Sequence, residues 1–386
     1  MQKIHWTAQT GHAVLALLLA AACTAGCTAS PERAFEKDIE AYRQEIENVG
    51  LAVAVVKDNQ IVYHQEFGVK NLETQEPVQE NTLFRIASIS KSFSATSIMQ
   101  LKEKGLVTLD TDVSELAGFP IRNPRYPEKV ITLAMLLSHT SSLNDSEGYF
   151  TLDVVNPTAN PDWARCYNDY APGEGYEYCN LNFNLVGTFI EKLSGERFDQ
   201  YVVNHILKPL NLYGGYCVDS LDKTRFASLY EYENGHFVEE TAAYEPRSER
   251  IANYKFGYDT PVFSPTGGMK ISACDLARYM MMHMGWGTAP DGTRIIDEED
   301  SHAMQTEYSA PEHYGFALWN DTGRIPGVDL WGHTGGAYGL RSAMFWDKDR
   351  NFGLVCISSG ARGDYEDEDS GVLNGTLRRL YKHFCQ

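Results

Sequence analysis

Positive charge is scarce in this sequence: 33 lysines and arginines stand against 52 aspartates and glutamates, a formal net charge of −19. That deficit argues against nucleic acid, whose affinity rests on cations neutralising phosphates. It also argues against docking of the folded surface onto anionic lipid. No apolar run reaches the length of about 18 residues that marks a transmembrane helix. Cys-x-x-Cys and cysteine–histidine clusters with zinc spacing are missing too, so no metal is expected. Internal repeats are absent.

What is present is the composition of an ordinary folded protein: 43% of the 386 residues are hydrophobic and 12% aromatic. That length allows one large domain or two with a sizeable core. The N-terminus reads as a targeting segment over residues 1–27. Lys3 and His5 precede Ala13-Val-Leu-Ala-Leu-Leu-Leu-Ala-Ala-Ala22, too short to span a bilayer but suited to a signal-peptide core. Small residues then precede Cys23 and again Cys27, as in a bacterial lipoprotein signal, with either cysteine as the lipidation site. Ordinary secretion with cleavage after one of the alanines is the other reading. The expectation is an exported protein, periplasmic or anchored to the outer face of a membrane, that touches lipid only through this N-terminus. Residues 28–34 form a tether.

Export permits disulfides. Among Cys166, Cys179, Cys217, Cys274, Cys356 and Cys385, a bridge is to be sought within the first three. Cys274 and Cys356 read as buried small hydrophobes.

Residues 35–386 read as one domain. A helix over 32–48, with Phe35, Ile39, Tyr42 and Ile46 on one side, precedes strands at 51–56 and 61–67. From about 92 to 254 the pattern is mostly helical, with helices at 132–140, 180–193 and 198–210. From about 255 it changes to a helix over 271–284, strands at 314–319, 330–333, 340–346 and 352–358, and a last helix over 371–384. Strands at both ends imply an α/β (α+β) fold: one antiparallel sheet flanked by helices, built from about 35–91 and 255–386, with a mostly helical insertion. The acidic run Asp364–Asp369 reads as a solvated loop before a helix N-terminus.

The chemistry centres on Ser88-Ile-Ser-Lys91, which opens a helical pattern carrying Ile89, Phe93, Ile98 and Leu101. Positions three apart share a helix face, so the Ser88 hydroxyl and Lys91 amine meet. Serine needs a base to become a nucleophile, and a lysine serves when burial lowers its pKa. A second copy, Ser220-Leu-Asp-Lys223, lies in an acidic, turn-like context and is read as chance. Two further segments complete a constellation. In the extended Tyr178-Cys-Asn180, Tyr178 and Asn180 point one way and Cys179 the other. Tyr178 beside an ammonium is a second candidate base, and Asn180 can hold both the lysine and a substrate amide. In Trp331-Gly-His-Thr-Gly-Gly336, Gly335 and Gly336 let the strand approach a substrate. The backbone N–H groups of Gly336 and Ser88 are candidates for an oxyanion hole, and Thr334 for contact with a substrate carboxylate.

The set Ser88-x-x-Lys91, Tyr178-x-Asn180 and His333-Thr-Gly335, in that order, resembles the serine penicillin-recognising enzymes: class C β-lactamases, DD-peptidases, D-aminopeptidases and related esterases. The phrases Leu136-Leu-Ser-His-Thr-Ser-Ser-Leu143, Pro172-Gly173, Thr266-Gly-Gly-Met269 and Tyr314-Gly315 are similar to theirs. The resemblance implies a β-lactamase/transpeptidase-like fold and an acyl-enzyme on Ser88, with Lys91 and Tyr178 moving protons. It implies substrate binding by Asn180, His333, Thr334, Gly335 and Gly336, and no cofactor. Lactamases usually carry lysine where this chain has His333. A histidine that titrates near neutrality weakens the pull on a β-lactam carboxylate. The expected activity is therefore that of a DD-peptidase or D-amino-acid peptidase acting on a small-molecule or peptide substrate. The alternatives are a small-molecule esterase or weak class C-like β-lactamase, and a non-catalytic penicillin-binding or cell-wall sensor module.

Overall fold

The computed structural model describes residues 31–362 and 371–386. The targeting segment with Cys23 and Cys27 lies outside them, as does the acidic run Asp364–Asp369. No helix among the described residues is long and apolar enough to cross a membrane.

Helix α1 (Pro31–Glu45) leads into the hairpin of β1 (Gly50–Lys57) and β2 (Gln60–Gly68). The other strands of the main sheet are β3 (Trp319–Ile325), β4 (Val328–Ala337), β5 (Leu340–Asp347) and β6 (Phe352–Ser358). They form one antiparallel sheet in the order β2-β1-β6-β5-β4-β3. The first hairpin thus joins the C-terminal meander through β1 and β6, with Leu51 opposite Ser358 and Lys57 opposite Phe352.

Both faces of the sheet are covered, which explains why β1 reads as an unbroken apolar run. Leu51, Val53 and Val55 pack with Phe35 and Ile39 of α1 and with Leu377 and Leu380 near the C-terminus. Ala52, Ala54 and Val56 face the larger core on the other side. The other long helices are α2 (Ser90–Glu103), α3 (Asn180–Ser194), α4 (Ala273–Met284) and α5 (Val372–Phe384). Helix α4 lies across the inner face. At Gly353 a Cβ would come within 2.4 Å of the Met280 methyl, so a larger residue there requires the Met280 side chain to move aside.

The expected fold, an antiparallel sheet flanked by helices with a largely helical middle, is the one observed. Four local expectations need correction. The strand expected at 314–319 begins only at Trp319. Tyr314–Leu318 is a buried turn in which Gly315 N–H donates to Leu318 O and Ala317 takes a positive φ of 58°. Its apolar character comes from burial beneath the site, not from strand pairing. The helix expected from 271 starts at Ala273, capped by Ser272, because Lys270–Ile271 forms a short strand paired with Phe84–Arg85. The middle segment also carries a hairpin, Leu229–Glu233 with His236–Glu240. Finally, Cys166, Cys179 and Cys217 are each free and buried, so the bridge sought among them does not form.

Candidate active site

Ser88 sits in a tight turn, Ala87–Ile89, that runs directly into α2. Ala87 before it adopts a left-handed φ of 43°, a conformation non-glycine residues keep only where the surroundings enforce it. The enforcement is visible. Ile86 N–H donates to Met269 O (3.0 Å), and the Ser342 hydroxyl donates to Ile86 O (2.8 Å). Strand β4 closes in from the other side. A Cβ on Gly335 would lie 2.2 Å from Ile86 O and 3.1 Å from the Ala87 methyl. Gly335→Ala must push the strand and the Ser88 turn apart. Misplacing reacting groups by about 1 Å costs up to ~10² in rate. A loss of about 10- to 100-fold in kcat/KM is expected, with thermal unfolding reporting any accompanying loss of stability.

Lys91 is fully buried. Its amine lies 3.1 Å from Ser88 Oγ and donates to Asn180 Oδ1 (2.9 Å) and to the Thr266 carbonyl (2.9 Å). A neutral amine has two N–H donors and one lone pair. The two oxygens that can only accept use both donors, which leaves the lone pair for the Ser88 hydroxyl. Burial lowers the Lys91 pKa to about 7, against the opposing pull of the Asp145 carboxylate.

Asp145 organises the second motif. It accepts from the backbone N–H groups of Asn180 (2.8 Å) and Leu181 (2.9 Å), from Asn180 Nδ2 (2.9 Å) and from the Cys179 thiol (3.3 Å). It thereby caps the N-terminus of α3, where negative charge is favoured. It also fixes the Asn180 amide so that Oδ1 faces Lys91. The Thr266 hydroxyl donates to the same Oδ1 (2.8 Å).

Tyr178 packs against His139, with ring centroids 4.3 Å apart, and stacks on Trp319 at 5.9 Å. Its ring lies 4.8 Å from the Lys91 amine. Its hydroxyl is enclosed and directed at Ser88 without closing a well-formed hydrogen bond. Burial pushes the phenol well above its ordinary pKa, outweighing the contact with Ser88. The phenolate expected from a neighbouring ammonium is therefore not favoured. His139 supports this wall. Its Nδ1 accepts from Cys179 N–H (3.2 Å) and lies 3.3 Å from Asn182 Nδ2.

A cleft of about 510 Å³ opens over these groups, with Ser88, Tyr178, Asn180, Thr266 and Gly336 on its wall. Gly336 is exposed, and both it and Ser88, the two suggested oxyanion donors, face the cleft. His333 does not. It is buried, its Nδ1 bonds the Thr334 carbonyl, and its Nε2 lies 3.1 Å from the Tyr314 hydroxyl. Since the carbonyl only accepts, Nδ1 carries the proton and Nε2 accepts from Tyr314. Burial, helped by Lys91, lowers its pKa to about 3. The expectation that His333 titrates near neutrality is corrected: it is a neutral support behind the wall. Thr334 and Gly335 are likewise off the cleft wall. The chance copy stays apart from the site, with Ser220 and Lys223 exposed on the surface.

Asp145, His139, Thr266 and Arg85 were not singled out from the sequence. Thr266 and His139 lay within phrases noted for resemblance, which was the one available signal. Asp145 gave none, because an aspartate in a loop is commonplace and its partners lie 35 and 36 positions away.

The sequence profile of the Beta-lactamase family matches residues 35–375. The chain belongs to the Beta-lactamase family. Within it, the chain is 27% identical over 325 residues to "Penicillin-binding protein 4" of Amycolatopsis lactamdurans, covering 79% of this chain and 80% of that one. It is 28% identical over 272 residues to "Penicillin-binding protein 4*" of Bacillus subtilis (strain 168), covering 66% of this chain and 52%, about half, of that relative. Among solved structures, the family fold recurs in the octameric penicillin-binding protein homologue from Pyrococcus abyssi. The TM-score is 0.70 at 24% identity, over 90% of this chain and 77% of that one. It recurs in D-amino acid amidase from Ochrobactrum anthropi SV3, with a TM-score of 0.70 at 20% identity over 92% and 99% of the two chains. At these identities the structures speak to the fold alone.

Proposed function

We propose that the chain is a serine hydrolase that cleaves an amide or ester through an acyl-enzyme on Ser88, acting as a DD-peptidase or D-amino-acid peptidase. The observation that carries this reading is the Lys91 amine, buried, lowered to about 7, and held with its free lone pair toward Ser88 Oγ. Lys91 takes the Ser88 proton as Oγ bonds the substrate carbonyl carbon. The proton then passes to the leaving nitrogen or oxygen as its bond to that carbon breaks, with the Tyr178 phenol beside the path. Water releases the acyl group by the reverse relay. A second reading, an esterase for small acyl substrates, draws on the aromatic wall of the cleft, where Tyr149, Phe150, Tyr178 and Tyr338 meet. A non-catalytic binding module is disfavoured by the complete nucleophile–base pair.

The test is labelling with a fluorophosphonate, which needs an activated serine, together with initial rates on nitrocefin, a D-Ala-D-Ala peptide and p-nitrophenyl esters. The expected result is labelling at Ser88 and fastest turnover of the peptide. Fastest turnover of the esters selects the second reading, and absence of both labelling and turnover removes catalysis altogether.

The pH dependence follows from the same groups. The Lys91 amine must be neutral to accept a proton, so kcat/KM rises with pH through about 7 and then levels. His333 has already lost its proton by about pH 3, His139 lies well below its usual range, and Tyr178 keeps its proton. One ascending limb is expected between pH 5 and 9. A profile flat across that window would remove Lys91 as the base.

A further inference from the structure

Arg85 is a cation built into the cleft wall with no ion-pair partner among the described residues. It is 7% exposed, and of its side-chain nitrogens only Nε is bonded, donating to the Gly267 carbonyl (2.7 Å). The Tyr338 ring lies 4.8 Å from its guanidinium carbon. Among the described residues it forms no ion pair, and neither Nη is sealed away from solvent. Burial lowers its pKa, yet a guanidinium remains charged under working conditions. Lys270, opposite it on the paired short strand, does not compete for an anion. It is buried, donates to Tyr216 O (2.9 Å), and is held far below its ordinary pKa.

The position of Arg85 gives this charge its meaning. Its Nη2 is 3.6 Å from the point where a side chain on Gly267 would begin, and that point is 3.7 Å from the Ala87 carbonyl carbon. Glycine at 267 leaves the space between guanidinium and nucleophile turn open. Strand β4, in contrast, offers the cleft no cation: His333 is neutral behind the wall and Thr334 lies off it. Glu231 is the only other charged residue on the wall among the described residues, and it would repel a second negative charge.

We propose that Arg85 binds a carboxylate of the substrate beside Ser88, so that the cleft selects acyl substrates carrying one negative charge. The inference rests on the reading of this cleft as the substrate site. An unpaired guanidinium presents a planar fork of donors that matches a carboxylate, and docking one supplies the missing counter-charge.

The experiment uses Ser88→Ala protein, so that binding is read without any reaction. Calorimetry compares N-acetyl-D-alanine with N-acetyl-D-alaninamide. The acid should bind at least about 10-fold more tightly, the size expected of a charge-assisted hydrogen bond. Adding Arg85→Gln should remove the difference. A crystal structure of Ser88→Ala with the acid should place its carboxylate on the Arg85 Nη atoms, and this arm needs no Arg85 variant to fold. Equal affinities for acid and amide, a difference that survives Arg85→Gln, or a carboxylate seated elsewhere would each overturn the proposal. Because no arm depends on turnover, an acid-over-amide preference that Arg85→Gln removes, found while fluorophosphonate fails to label the chain with Ser88 intact, would sink the hydrolase reading and leave Arg85 standing.

Discussion

Ser88→Ala is expected to lower turnover of every substrate the chain accepts by at least about 10⁴-fold, the scale seen when the nucleophile of a serine hydrolase is removed. The loss should fall on kcat, because the cleft wall, with Asn180, Thr266 and Gly336, is untouched and substrate can still bind. The fold should survive. Ser88 is only partly buried, and the Ser88 turn is held by Ile86, Met269 and Ser342 and not by the hydroxyl. A melting temperature close to that of the unaltered chain, together with loss of the fluorophosphonate adduct by mass, separates lost chemistry from lost structure. Residual activity within about 10-fold of the unaltered chain would mean that the reaction does not pass through Ser88.

The sequence made different parts of this site legible to different degrees. Spacing along a helix brought Ser88 and Lys91 together, and the structure places them 3.1 Å apart. What spacing could not show is that Ser88 precedes the regular helix, in a turn set by the left-handed Ala87. Alternation along an extended chain correctly separated Tyr178 and Asn180 on the cleft from the buried Cys179. On β4 the same rule was not applied to His333-Thr-Gly335, where consecutive letters of a motif were assigned to one surface. A strand sends alternate residues to opposite faces: His333 and Gly335 share the buried face, and of Thr334 and Gly336 on the other face only Gly336 reaches the cleft. The sheet itself was legible because apolar runs at the two ends demanded cover on both faces. Asp145 and Arg85 were not, since their roles come from neighbours brought close by folding, such as Asn180 for the first and Gly267 for the second.

Lys91→Met is expected to lower kcat/KM by about 10³-fold, within the ~10²–10⁴ that a positioned general base contributes. Methionine has similar length and fills the same buried space. The fold should lose no more than about 1–3 kcal/mol, the cost of leaving a buried acceptor unmatched. Of the two acceptors that lose Lys91, Asn180 Oδ1 keeps the Thr266 hydroxyl. The more telling readout is the pH profile, whose rise through about 7 should vanish with the amine. Lys91→Arg makes the complementary case. It keeps a positive charge beside Ser88 but cannot give up its proton at working pH, so it too should be inactive if Lys91 acts as a base. Recovery of activity in Lys91→Arg would mean that the site needs a cation and not a proton acceptor. Tyr178, whose buried phenol otherwise holds its proton, would then be the group left to take the proton from Ser88.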